Sequence, residues 1–165
     1  MPITQIPTKS LVLKLLTREE TLSMVDAMSP VDRAEVSDEW LAALRASDPV
    51  DPWRHGFVMI DRETGHRVGN CAFKGPPSNG VVEIAYGVEA EFRGRGYASE
   101  AAEGLTNFAF SQNVPTVYAH TLSEANASTR ILTRCGFHHV GEVIDPNDGP
   151  VWRWEKQRDP ATPNP

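Results

Sequence analysis

The stretch from Glu91 to Leu105, EFRGRGYASEAAEGL, sets the strictest condition on the fold. Two glycines and two arginines fall within Arg93-Gly94-Arg95-Gly96-Tyr97. A helix follows, with Ala98, Ala101, Ala102, Leu105, Phe108 and Ala109 as its apolar stripe. No Ser, Thr, Asp or Asn stands where a cap belongs. The first turn of any helix leaves about four N–H groups without internal partners. Glycines at 94 and 96 let the backbone approach an external group closely, and the helix dipole favours negative charge there. Either these amides face water, as in many glycine-rich connections, or they bind an anion, most simply a phosphate or pyrophosphate. Two familiar phosphate loops are excluded. A dinucleotide fingerprint needs a third glycine-like position where this chain has Ser99, and a Walker A loop needs Gly-Lys-Ser/Thr, which is absent.

Around this loop the periodicities predict an α+β order. SLVLKLL reads as an opening strand, and helices are expected over 18–27 and 31–47, the second with Val36, Trp40, Ala43 and Leu44 on its inner face. Pro49 and Pro52 end it. HGFVMIDRETGHRVGNCAF reads as a hairpin turning at Gly65. In VVEIAYGV, Val82, Ile84, Tyr86 and Val88 share one face, and Glu83, Ala85 and Gly87 the other. VPTVYAHTL is a strand, 126–135 a helix stopped by Gly136, and GFHHVGEV and PVWRWEK a closing pair. One domain over 1–158 is expected, followed by a disordered proline-rich tail over 159–165.

Composition narrows the function. A formal charge of −6 argues against a nucleic-acid-binding surface. No segment has the apolar length of a membrane span, and MPITQIPTKS has no signal-peptide pattern, so a cytoplasmic protein with no membrane partner is expected. Cys71 and Cys135 are too few for a disulfide framework, and the histidines show no metal-ligand spacing, so no metal is expected.

Arg93-Gly94-Arg95-Gly96-Tyr97-Ala98, with the strand before it, GYASEA after it and NASTRILTRCGF further on, resembles the GNAT superfamily of N-acetyltransferases. The nearest subgroup in pattern is the ribosomal-protein alanine acetyltransferases, and the likeness runs from about Lys9 to about Glu155. The resemblance implies a GNAT-like fold: a mostly antiparallel, splayed sheet of about seven strands with about four helices. It implies acetyl-CoA as co-substrate, its pyrophosphate held by the amides of Arg93, Gly94, Arg95, Gly96, Tyr97, Ala98 and Ser99. The pantetheine would pair with the backbone near Tyr86 and Val88, and Asn126 would contact the pantetheine or adenine side. Asn126 precedes Ser128 by two residues where the subgroup often has three.

The implied reaction moves an acetyl group to a primary amine, of a protein N-terminus or a small molecule, by direct attack in a ternary complex. The alternative is an inactive CoA-binding regulatory module. A base must take the amine's proton, and Glu83, a lone carboxylate in an apolar strand, is the first candidate. His120, in the facing strand, can do the same work near neutral pH. Many GNAT members carry an acidic tyrosine where this chain has Leu132, which leaves Ser128 as the hydroxyl to meet the departing thiolate. Ser128 is equally suited to capping its helix. Arg130 and Arg134 either reach a cofactor phosphate or are solvated charges. In the family the acceptor is chosen by the N-terminal helices and connecting loops, where DRAEVSDEWLAALRASDPVDPW carries no recognisable motif. The assembly is expected to be a monomer or homodimer.

Overall fold

The computed structural model describes residues 3–146 and 148–159. Eight strands form one sheet: β1 (Gln5–Pro7), β2 (Leu11–Leu15), β3 (Phe57–Asp61), β4 (Arg67–Phe73), β5 (Val81–Val88), β6 (Thr116–Leu122), β7 (His138–Asp145) and β8 (Gly149–Gln157). Their order is β1-β2-β3-β4-β5-β6-β8-β7. Every neighbouring pair is antiparallel except β5 and β6. The helices are α1 (Arg18–Asp26), α2 (Pro30–Ala34), α3 (Asp38–Arg45), α4 (Tyr97–Ser111) and α5 (Ala127–Arg134).

Two element expectations need correction. The opening strand is preceded by β1, which pairs Ile6 with Leu13 and buries Ile6 against the core. The helix expected over 31–47 is two helices. Ser29 caps α2 ahead of Pro30, and Ser37 caps α3 by accepting from the Trp40 amide. The restart turns the apolar face: Leu41 and Leu44 bury against Val25, while Trp40 remains 40% exposed. The remainder of the proline-rich tail, 160–165, lies outside the described residues.

α4 lies across β1, β2, β4, β5 and β6 and buries Ala101, Ala102, Leu105 and Ala109 completely. Its small residues permit close packing: a Cβ on Gly104 would stand 3.1 Å from Thr8 Cγ2 and 3.2 Å from Leu13 Cδ1. The start of α4 is tied down twice. Glu100 in its first turn accepts from Thr8 Oγ1 at 2.7 Å and from the Ser10 amide at 2.8 Å, and the Tyr97 hydroxyl donates to Asp61 Oδ2 at the end of β3. Gly136 ends α5 at φ +90°, with the Gly136 amide donating to the Thr133 carbonyl and the Phe137 amide to that of Leu132.

Candidate active site

The sheet splits at its centre. β5 and β6 pair through Val81, Val82 and Glu83, opposite Thr116, Val117 and Tyr118, and no further. From Ile84 onward β5 pairs only with β4, and β6 only with β8. The edges of β5 beyond Glu83 and of β6 beyond Tyr118 therefore face a gap with backbone groups unspent. Glu83 is the last paired residue before it.

A cleft of about 550 Å³ opens beside this gap, lined by Tyr86, Gly87 and Val88 of β5, Arg93 to Ser99 apart from Arg95, and the α5 residues Ser128, Arg130, Ile131 and Arg134, among others. The α4 start in its wall has no side-chain cap, and Gly96 itself takes the N-cap position at φ +84°. Among the described residues, the amides from Gly94 to Ser99 donate to no protein acceptor, since the first α4 bond runs from the Glu100 amide to the Gly96 carbonyl. A Cβ placed on Gly94 or Gly96 would meet nothing within 4 Å, so the cradle is open. Arg93, Arg130 and Arg134 bring positive charge to its rim. Arg93 Nε also donates to the Val88 carbonyl at 3.1 Å, which fixes the loop to the end of β5. This donor set fits an extended molecule carrying a pyrophosphate, and neither Arg95 nor the Tyr97 hydroxyl is spent on it. Arg95 stacks over Phe92, and the Tyr97 phenol turns away to Asp61.

On the other side of the gap lies a second cavity of about 330 Å³, lined by Glu83, Tyr86, His120, Asn126 and Ser128 together with Lys74, Asp145 and Asp148. Glu83 Oε2 stands 3.4 Å from His120 Nδ1 and 3.5 Å from Lys74 Nζ, with its side chain 14% exposed. The two candidate bases are thus in contact. Among the described residues, His120 Nε2 is buried with no hydrogen-bond partner. Tyr118, two residues before His120 on the same face of β6, has its pKa raised by burial and then by the charge of Glu83. Arg153 stacks on the Tyr118 ring at 3.8 Å.

Tyr86 and Ser128 line both cavities and so mark the neck between them. Ser128 is not the helix cap. Asn126 takes that role, accepting from the Thr129 amide at 3.1 Å while Thr129 Oγ1 accepts from the Asn126 amide at 3.0 Å. Asn126 lines the Glu83 cavity beside the gap and not the larger cleft. Leu132 is fully buried. Cys71 is 3% exposed and its thiol is pushed up to about 12 by burial. Cys135 is also raised, chiefly by burial, with Sγ 3.6 Å from the Ser99 carbonyl.

Lys74, which pairs with Glu83, and the Arg153–Tyr118 stack beside it are neighbours of the site absent from the sequence analysis. The alternation of Tyr118 and His120 along β6 was the one available signal. None of the described residues lining either cavity comes from α1, α2 or α3. Among the described residues no three His, Cys, Asp or Glu side chains group as a metal site requires, and no helix is long and apolar enough to cross a membrane.

Residues 8–138 match the family of the acetyltransferase (GNAT) domain. The chain belongs to that family. The uncharacterized N-acetyltransferase p20 of Bacillus licheniformis is 32% identical over 91 residues, 54% of this chain and 51% of that protein. The match therefore spans about half the length of this curated relative. Among solved structures, the ribosomal-protein-S5-alanine acetyltransferase of Vibrio fischeri superposes with a TM-score of 0.68 at 13% identity, covering 98% of this chain and 100% of that one. RimL, a ribosomal L7/L12 alpha-N-protein acetyltransferase solved in complex with coenzyme A, gives 0.67 at 13% identity, covering 93% and 97%. At such identities the likeness is one of fold, and it establishes the splayed α+β GNAT architecture.

Proposed function

We propose that this GNAT-family chain transfers the acetyl group of acetyl-CoA to a primary amine, of a protein N-terminus or a small molecule, by direct attack in a ternary complex. The fork carries this reading: β5 and β6 part immediately after Glu83, between a donor-lined cleft and a carboxylate cavity that meet at Tyr86 and Ser128. The free amides from Gly94 to Ser99, with Arg93, Arg130 and Arg134, hold the phosphates. The unpaired edge of β5 beyond Glu83 pairs with the pantetheine amides and offers backbone N–H to the carbonyl oxygen as it gains charge. Glu83 takes the proton of the attacking amine.

His120 serves Glu83 rather than replacing it. Its Nδ1 faces the carboxylate, and its Nε2 is buried away from any incoming amine. A covalent acetyl-enzyme is disfavoured because burial holds both thiols in the protonated form. Protein N-termini enter as acceptors through the names of the structural neighbours, in which ribosomal proteins are the substrates.

Turnover of acetyl-CoA with alanine- and serine-initiated peptides and with spermidine, scored by thiol release, tests the reading. Release with at least one amine, and intersecting double-reciprocal lines, is the expected result. Tight coenzyme A binding with no release for any amine would point to a binding module instead.

A further inference from the structure

The chain carries its own primary amines on Lys9, Lys14, Lys74 and Lys156, and their settings differ. Lys9 and Lys14 are exposed, and Lys156 Nζ donates to the Cys135 carbonyl at 2.8 Å. Among the described lysines, only Lys74 lines a cavity of the site. Lys74 follows directly on β4, and its amide donates to the Glu83 carbonyl at 2.9 Å, one step past the Phe73–Ile84 pair. The two side chains therefore leave the sheet on the same face, with Lys74 Nζ 3.5 Å from Glu83 Oε2. A primary amine thus stands where an acceptor has to stand to give its proton to that carboxylate. The Lys74 side chain is 56% exposed, so the ion pair is a weak one and leaves the amine free to move within the cavity.

We infer that Lys74 is an acetylation site of the protein itself, modified in cis with the help of the same carboxylate that serves external amines. This rests on the acetyltransferase reading above. Glu83 takes one proton from the Lys74 ammonium, and the freed lone pair forms the new C–N bond to the acetyl carbon. The C–S bond breaks with its electron pair on sulfur, and the second proton to leave nitrogen neutralises that thiolate. The products are acetyl-Lys74, free coenzyme A and a protonated Glu83. The new amide is neutral, so it no longer pairs with Glu83, and its acetyl group fills part of a cavity of about 330 Å³. External amines compete with Lys74 for one carboxylate. The modification therefore builds up when acceptor is scarce, and it slows later turnover.

The test incubates the intact protein with acetyl-CoA and no amine, then maps the four lysines by peptide mass. Lys74 should gain one acetyl group about 10²-fold faster than the exposed Lys9 and Lys14, the lower end of what a positioned base contributes. Its rate should not depend on protein concentration, and Glu83→Gln should bring it down to theirs. Lys74→Arg keeps the cation but accepts no acetyl group, so preincubation with acetyl-CoA should slow later turnover in the wild-type protein and not in this variant. Equal labelling of Lys9, Lys14 and Lys74, or labelling of Lys74 indifferent to Glu83, would be chemical acetylation by the thioester and overturns the inference. A rate that rises with protein concentration overturns the reaction in cis, and turnover untouched by preincubation overturns the blocking. Thiol release with an external amine while Lys74 stays unmodified sinks the inference and leaves the acetyltransferase reading standing. Neither labelling of Lys74 nor release with any amine overturns both.

Discussion

Glu83 and His120 face one another at the fork of the sheet, Oε2 of the first 3.4 Å from Nδ1 of the second. They come from the two strands that part there, Glu83 pairing with Tyr118 in the last register position. A carboxylate so placed has a donor on either side, His120 and Lys74, and its open direction is the cavity.

Replacing Glu83 by Gln keeps the shape of the side chain and its place in β5. The expected outcome is a fall in kcat of about 10²–10⁴-fold, the usual worth of a general base. Coenzyme A affinity should hold, because the proposed phosphate site is the α4 start and not Glu83. Activity should recover in part as pH rises and the amine deprotonates unaided. A rise in KM with kcat nearly intact would show that Glu83 only orients the acceptor.

Gly96→Asp tests the cofactor loop. The φ of +84° tolerates aspartate better than most side chains, so the fold should persist by circular dichroism. Its carboxylate would occupy the open cradle and repel phosphate. Losing two charge-assisted hydrogen bonds weakens coenzyme A binding by about 10²-fold or more. Isothermal calorimetry giving wild-type affinity in the folded variant would remove the loop from the site.

Much of this was legible in the sequence because it is local. The uncapped glycine start of α4, the in–out alternation of β5 and the stop at Gly136 each follow from a few neighbouring residues. What escaped depends on groups far apart in the chain. The Tyr97–Asp61 bond spans 36 residues, and the Arg153 stack on Tyr118 exists only because β8 returns beside β6. The α3 face differs from expectation for another reason. Periodicity alone runs on through the break at Ser37, although a serine three residues before Trp40 is itself a start signal. Ser128 shows the limit of propensity: a good capping residue lost that role to Asn126, two positions earlier.

The Asp61–Tyr97 bond predicts an acid sensitivity. Tyr97, first, and the Thr64 and Glu63 amides hold the Asp61 carboxyl at about 2, below its ordinary 3.8. A depressed folded value means stability that is present above 3.8 and lost as pH falls through about 2. Tyr97→Phe removes the leading cause, so its acid-unfolding midpoint should move to higher pH and its Tm fall by a few degrees. Coenzyme A binding should weaken slightly, because the α4 start loses one tether. An acid transition identical to wild type would show that the two amides alone hold Asp61.

His55 predicts a second pH dependence, nearer neutrality. It is fully buried, its Nδ1 accepts from the Asp51 amide at 3.1 Å, and its Nε2 lies 2.9 Å from Ser47 Oγ. Ser47 spends its own hydrogen on the Leu44 carbonyl, so Nε2–H donates to Ser47 and the ring is neutral. Protonation would set a hydrogen on Nδ1 against the Asp51 N–H, and burial lowers the His55 pKa from 6.5. The unfolded chain therefore binds this proton more readily than the folded one. Its contribution to stability is complete above 6.5 and declines as pH falls below that value toward the lowered folded pKa. One such group gives a slope of at most about 1.4 kcal/mol per pH unit. Urea midpoints measured between about pH 5 and pH 7.5 should fall on acidification in the wild-type protein and flatten in His55→Phe. Both proteins should be compared by that slope, since the substitution also leaves the Asp51 amide unpaired and lowers stability at every pH. Equal slopes in the two would place the titration elsewhere than His55.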